Sequence, residues 1–116
     1  MMNLPTREQS GVLVVTVSGR IDHVISEEFA QSLSLLLDQV KNQYASLVLD
    51  FTNVEYVSSA GLRVLMLISR QTKAQAIDFS IAALSPLVHE VFTISRFNLI
   101  IPCFATVDAA VTALGR

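Results

Sequence analysis

Two adjacent serines, Ser58 and Ser59, are the residues of this chain best placed to take part in chemistry. They follow a short apolar run of strand length at residues 47–51, and residues 62–73 after them have the periodicity of a helix. Serine is a common N-cap, and a residue one position inside a helix start lies beside free backbone N–H groups and the positive end of the helix dipole. A phosphate added to Ser59 would therefore be stabilised.

The predicted helix has one side of mixed character. At about 100° per residue, four side chains fall within one narrow sector, opposite the apolar side: Ser59, Arg63, Met66 and Arg70. Methionine adapts to apolar partners, and arginine is favoured at interfaces. This sector is either a partner-binding surface or an ordinary solvated face with one exposed methionine.

A serine between a strand and a helix could also be a catalytic nucleophile. Residues 57–61 resemble a nucleophile elbow, but Val57 stands where that turn needs its first glycine. The general base would be His23 or His89, and only His89 follows in the expected chain order. A domain this small has little room for a substrate pocket, so the sequence favours a non-enzymatic role. The acids show no metal spacing and no phosphate-binding glycine loop is present, so neither a cofactor nor a metal is predicted.

The serines belong to a longer pattern made up of Asp50, Val54, Tyr56, Val57, Ser58, Ser59, Gly61 and Leu62. This pattern resembles the signature of STAS domains, in particular the bacterial anti-sigma factor antagonists. The resemblance covers nearly the whole chain, from Leu4 to Leu114. It implies that Ser59 is phosphorylated by a serine/threonine kinase that is itself the anti-sigma factor. Only the unphosphorylated antagonist binds that kinase and frees the sigma factor, and a serine phosphatase restores this form.

Two alternatives remain within the resemblance. Many relatives have an aspartate where this chain has Ser58; alignment on Gly61 and Leu62 makes Ser59 the expected phosphorylation site and Ser58 the second choice. The other alternative is a STAS accessory subunit of a membrane lipid or anion transporter, which would hold its partner without a phosphorylation cycle. The Ser-Ser pair at a helix start favours the sigma-regulating branch.

Composition narrows the class of protein. The length of 116 residues predicts a single STAS domain over residues 1–116. Hydrophobic residues make up 52% and charged residues only 16%, which indicates either apolar surface for a partner or a sheet covered on both faces. The net charge of -2, with scattered basic residues, argues against nucleic-acid binding.

No apolar run approaches a membrane span and no signal pattern is present, so the protein is expected to be cytoplasmic, without direct membrane insertion. The single cysteine, Cys103, is expected to be a small core residue.

Strands and helices are predicted to alternate after an opening hairpin of residues 6–9 and 12–17. Further strands are predicted at residues 47–51, 78–83 and 99–101, the last stopped by Pro102. Helices are predicted to begin at Ser26, at the serine pair, at Ser85 and at Thr106, and the third of them to turn Leu87, Val91 and Ile94 inward. The fold class is α/β: a STAS-like domain with a mixed, mainly parallel sheet of four to five strands, an antiparallel edge strand and about four helices.

In such sheets the loops after the carboxyl ends of parallel strands carry the function. Loops 20–24 and 52–59 should lie on the same rim and bring Asp22 near Ser59. Asp22 is either a turn residue or, as the resemblance implies, part of the partner-binding rim, and Asp50 is expected to hydrogen-bond loop backbone. The predicted partner-binding residues are Arg20, Asp22, Ser58, Ser59, Arg63, Met66 and Arg70.

Overall fold

A computed structural model describes residues 2–115 as a five-stranded sheet with helices on both faces. The strands are β1 (Thr6–Gln9), β2 (Val12–Ile21), β3 (Ser46–Val57), β4 (Asp78–Ala82) and β5 (Cys103–Phe104). The helices are α1 (Ser26–Gln39), α2 (Ser59–Ala74), α3 (Pro86–Ile94) and α4 (Val107–Leu114), with a 3₁₀ turn at Phe97–Leu99. Within these described residues, no helix is both long enough and apolar enough to cross a lipid bilayer.

The strands follow one another in sequence order across the sheet. β1 pairs with β2 antiparallel, and the remaining neighbours pair parallel, which confirms the mixed sheet and its antiparallel edge strand. Ser10 and Gly11, at φ of 52° and 80°, make the tight turn of the opening hairpin. Serine, proline and threonine signals also mark the right helix starts: the side chains of Ser58, Ser85 and Thr106 each accept a backbone N–H at an N-cap.

Successive side chains of the central strands point to opposite faces of the sheet and so form two separate hydrophobic layers. On one face, residues such as Leu13, Leu49 and Phe51 pack against buried side chains of α1, α2 and α3. On the other face, Val14 and Val48 pack with buried residues of the short helix α4. The sheet is therefore covered on both faces, which accounts for part of the high apolar content.

Strands β2 and β3 are longer than the predicted 12–17 and 47–51. Beyond Thr16 and Asp50 they continue as a two-stranded parallel extension with two register irregularities, and Ile21 pairs with Val57 at its end. Only one face of this extension is buried, so polar residues such as Asn53 and Glu55 alternate with core residues instead of ending the strand. Residues 20–21 and 52–57 of the predicted loops 20–24 and 52–59 are therefore strand, and α2 begins at Ser59, within the predicted serine pair.

The predicted strand at residues 99–101 was wrong. Residues 97–99 form the 3₁₀ turn, and the N–H of Ile101 donates to the carbonyl of Phe97 instead of to a strand. The sheet resumes after the proline, because the carbonyl of Pro102 accepts the N–H of Ile81. The strand β5 is consequently only two residues long.

The inward face of α3 also differs from the prediction. Leu87 and Ile94 are 51% and 75% exposed, whereas Val88 and Phe92 are buried. Of the three predicted residues only Val91 packs, partly buried, against the core. Phe92 decides the orientation, because its ring makes edge contacts with Phe51 and Phe97 at centroid distances of 6.3 and 5.9 Å. In a helix of nine residues the two alternative stripes are too short for the pattern to distinguish them.

Candidate functional site

The start of α2 places Ser58 and Ser59 in different roles. Ser58 is the N-cap, and its hydroxyl accepts the N–H of Gly61 at 3.2 Å. Ser59 is the first helical residue, and its side chain is exposed. Its hydroxyl makes no hydrogen bond to any of residues 2–115. The N–H groups of Ser59 and Ala60 lie in the first turn, where a helix offers no acceptor of its own. The geometry thus provides an accessible hydroxyl next to unsatisfied donors.

Gly61 explains how this start is held against the sheet. A side-chain Cβ at position 61 would lie 2.7 Å from the carbonyl oxygen of Ile21 and 2.9 Å from Cγ1 of Val57. That same carbonyl accepts the N–H of Ser58 at 2.9 Å. The first turn of α2 therefore rests directly on the end of β2, and only glycine permits this close approach.

The contact with Ile21 also brings the loop after β2 beside the serines, as the sequence predicted for Asp22. The Asp22 carboxylate accepts the N–H groups of Val24 and Ile25 at 3.1 and 3.2 Å, and its carbonyl accepts the Ser26 hydroxyl. Asp22 therefore shapes the entry to α1 as a turn residue, at the rim that carries Ser59.

Three of the predicted residues follow Ser59 along the outside of α2. Arg63 and Arg70 are exposed and Met66 is half-buried against the core. An Arg70 guanidinium nitrogen lies 3.7 Å from the Met66 sulfur. We call these four residues (Ser59, Arg63, Met66 and Arg70) the Ser59 face. Helix α2 has no acidic residue, so the face is cationic in a chain of net charge -2.

Arg20 is not part of this face. Ile21 and Val57 are buried beneath α2, so Arg20 and Tyr56, the preceding pair, project from the opposite side of the β2–β3 extension. The Arg20 guanidinium carbon lies 4.7 Å from the centre of the Tyr56 ring, a cation–π contact. The structure therefore places Asp22 and the two serines at one rim, with Arg63, Met66 and Arg70 following Ser59 along α2, and it places Arg20 on the opposite side of the extension.

Val24 is a rim residue that the sequence analysis missed. Its side chain is 77% exposed, in the loop fixed by Asp22. A β-branched apolar residue directly after Asp22 and His23 was the available signal.

The remaining candidate groups lie elsewhere. The Asp50 carboxylate accepts the N–H of Thr52 at 3.0 Å, which confirms the predicted hydrogen bond to the backbone, although Thr52 lies within β3 and not in a loop. The same carboxylate lies 3.7 Å from an Arg7 nitrogen. Cys103 is half-buried, and desolvation raises the pKa of its thiol to about 11. His89 lines a small cavity with Cys103 on α3 and β5, away from the serines. No group of three His, Cys, Asp or Glu side chains within 2–115 is arranged to hold a metal ion.

Comparison with known proteins decides the family. The family model for the STAS domain matches residues 3–110. This chain belongs to the STAS domain family. A putative anti-sigma factor antagonist of Bordetella bronchiseptica, BtrV, is 31% identical over 97% of this chain and 94% of its own length.

Solved STAS structures agree with this assignment. The crystal structure of an anti-sigma factor antagonist from Mycobacterium paratuberculosis superposes with a TM-score of 0.83 at 26% identity, covering 97% of this chain and 92% of that one. SpoIIAA of Bacillus, solved in unphosphorylated and phosphorylated forms, gives TM-scores of 0.74 and 0.66 at 20% and 19% identity. Each covers 96% of this chain, and 95% and 98% of SpoIIAA. The SpoIIAA likeness shows the fold.

Proposed function

We propose that this STAS protein is an anti-sigma factor antagonist: its unphosphorylated form binds an anti-sigma factor with serine kinase activity in the cytoplasm and releases the sigma factor. Phosphorylation of Ser59 ends that binding, and a serine phosphatase restores it. The observation that carries the proposal is the exposed hydroxyl of Ser59 in the first turn of α2, at the end of a cationic face. The similarity to BtrV over almost the full length of both chains supports the same class of function.

The protein acts in this proposal as a binding partner and kinase substrate, and not as an enzyme. Ser59 has no hydrogen bond to a histidine or another base within residues 2–115, so nothing there activates it as a nucleophile. The kinase must supply the base that removes the hydroxyl proton. What this chain contributes is position: the Ser58 cap and the Gly61 contact hold the acceptor at a fixed place on the rim.

The switch works in this proposal through local charge. A phosphoserine has a charge of about -1.5 to -2 at neutral pH. The helix dipole, the free N–H groups of the first turn and Arg63, four residues further along the same face, favour that charge within the free protein. In the complex the same charge must lose water or meet an acidic group of the partner, which lowers affinity by about ten- to several-hundred-fold. The fold is retained, as expected for a fold that SpoIIAA has in both forms.

The first experiment locates the modification. Each anti-sigma factor kinase of the source genome is incubated with the protein and ATP, and the product is mapped by peptide mass spectrometry. We expect one phosphoryl group on Ser59, none in Ser59→Ala, and a phosphoryl group that still maps to Ser59 in Ser58→Ala. Phosphorylation of Ser58 alone would move the acceptor to the N-cap. Tight binding to a transporter subunit without any phosphorylation would replace the proposal by the accessory-subunit function.

The second experiment tests the switch. Ser59→Asp should keep the wild-type circular dichroism spectrum and melting temperature but lose most of its affinity for the kinase, as measured by isothermal titration calorimetry. Ser59→Ala should bind and remain bound in the presence of ATP. The phosphorylated protein itself is the decisive sample, because one carboxylate has less charge than a phosphate. Full affinity of that sample for the kinase contradicts the proposed switch.

A further inference from the structure

A groove of about 430 Å³ runs along the C-terminal half of α2. Met66, Arg70 and Lys73 of α2 form one wall, and Ile100 and Pro102, before β5, form the other. The side chain of Phe79 on β4 lies at the base. Met66 and Arg70 also belong to the Ser59 face, so the groove is a direct continuation of that face.

The charge of the groove is opposite to the net charge of the chain. Two basic residues of α2, Arg70 and Lys73, line the groove, and the helix contributes no acid to it. Asp78 is the one acidic residue that lines the groove within the described chain, so its single negative charge is outweighed by the positive charges of Arg70 and Lys73. With a net charge of -2 on the whole protein, this concentration of positive charge favours an acidic partner at this place over the rest of the surface.

The opposite wall is apolar and open to solvent. Ile100 is 50% exposed and the adjoining Leu99 is 77% exposed. Ile100, Met66 and Phe79 line the groove and provide apolar contacts beside the basic side chains of α2. This is the complement of an amphipathic segment, which places apolar side chains three to four residues apart into a groove and turns its charged side outward.

We propose that the groove binds an acidic amphipathic segment of the anti-sigma factor, an inference that rests on the proposed function. The apolar side chains of the segment would lie on Met66, Phe79 and Ile100, and its carboxylates would pair with Arg70 and Lys73. The partner would then cover α2 from its first turn to its last, rather than only the rim around Ser59.

The groove is far enough from Ser59 to act independently of the switch. Eleven residues of helix separate Ser59 from Arg70, a rise of about 16 Å. That distance exceeds the Debye length of about 8 Å at physiological ionic strength, so a phosphate on Ser59 has little effect on a carboxylate bound at Arg70. Changes at sites this far apart are usually additive in free energy. The groove thus contributes the same free energy of binding before and after phosphorylation, whereas the phosphate on Ser59 lowers the affinity of the whole complex.

Two variants test this assignment in the full-length protein. Arg70→Glu combined with Lys73→Glu reverses the charge, and Ile100→Ser removes an exposed apolar contact. The controls are Lys41→Glu and Leu35→Ser, a charge reversal and an apolar-to-serine change at exposed positions outside the groove. Binding to each anti-sigma factor is measured by calorimetry at 50 and 200 mM salt, and phosphorylation of Ser59 is followed by initial rates.

We expect each groove variant to lose affinity about tenfold, for the unmodified and the phosphorylated protein alike. The loss in the charge-reversed variant should shrink at the higher salt concentration, and that in Ile100→Ser should not. KM for Ser59 phosphorylation should rise by the same factor with kcat unchanged, because the groove binds substrate and transition state equally. Both controls should match wild type.

The outcomes separate the two proposals. If wild type binds an anti-sigma factor and the groove variants bind equally well, the groove is ordinary surface while the proposed function stands. If wild type binds none, the proposed function fails and the groove assignment with it. Should a variant fail to fold, hydrogen exchange on the wild-type complex gives the answer: slowed exchange must extend to residues 66–73 and 99–102, and protection confined to the rim around Ser59 overturns the assignment.

Discussion

Replacing Gly61 by alanine tests whether the close contact between α2 and β2 fixes the position of Ser59. The added Cβ would lie 2.7 Å from the carbonyl oxygen of Ile21, too close for two unbonded atoms. This oxygen belongs to the backbone and also accepts the N–H of Ser58, so it cannot rotate away like the end of a flexible side chain. The helix start must therefore move outward, which weakens the Ser58 cap.

The expected size follows from three contributions. Alanine is favoured over glycine in a helix by at most about 1 kcal/mol. Overpacking against a rigid neighbour costs about 1–3 kcal/mol, and a weakened N-cap costs about 1 kcal/mol. We expect Gly61→Ala to lower the free energy of unfolding by about 1–3 kcal/mol, which corresponds to a fall in melting temperature of about 4–12 °C for a domain of this size.

Urea unfolding followed by far-ultraviolet circular dichroism measures this change, because the chain has no tryptophan to report by fluorescence. Ser59→Ala is the matched control, since it alters an exposed side chain two residues away and should stay within about 0.5 kcal/mol of wild type. A Gly61→Ala protein as stable as wild type, or more stable, would refute the idea that this contact holds the acceptor serine in place.

Three further changes test individual contacts. Ser58→Ala removes the N-cap bond to Gly61 and should cost about 1 kcal/mol in urea unfolding, with phosphorylation of Ser59 retained. Asp50→Ala should lower the free energy of unfolding by about 1–3 kcal/mol because it leaves the Thr52 N–H without its acceptor. Arg7→Ala removes only the half-exposed partner of the ion pair and should cost less than about 1 kcal/mol. Equal losses in the two variants would contradict this assignment. For Cys103, a pKa raised from 9.0 to about 11 means that its reaction with a disulfide reagent at pH 8 should be about 100-fold slower in the folded protein than in urea. Because the unfolded thiol loses its proton first, stability should also fall as pH rises from 9 towards 11.

Local signals in the sequence were sufficient for the order of elements and for the start of α2. The cap at Ser58 and the helical spacing of Arg63, Met66 and Arg70 depend on residues close together in the chain, and all were predicted correctly. The hairpin at Ser10 and Gly11 is equally local.

Features that depend on distant partners were missed. The extensions of β2 and β3 are stabilised by pairing with each other, and they lie more than thirty residues apart in the sequence. The polar residues of the β3 extension gave no strand signal of their own. The orientation of α3 is set by Phe51, more than thirty residues before it. The groove joins Met66 to Ile100 across a turn that the sequence suggested was a strand. Arg20 was placed with Ser59 because a loop was expected where a strand turns alternate side chains to opposite faces.

The fixed start of α2 has a consequence for how any kinase could recognise Ser59. The serine is already helical, and its surroundings are built by Ile21, which lies far away in the sequence. A synthetic peptide of residues 54–66 would contain all the sequence neighbours of Ser59 but would not adopt this conformation, since thirteen residues are too few for a stable helix in water. A kinase adapted to this protein must therefore read a folded surface instead of a linear motif. Scanning the sequence for short consensus sites would overlook such a substrate, and unfolding the protein would protect Ser59 from any kinase of this kind.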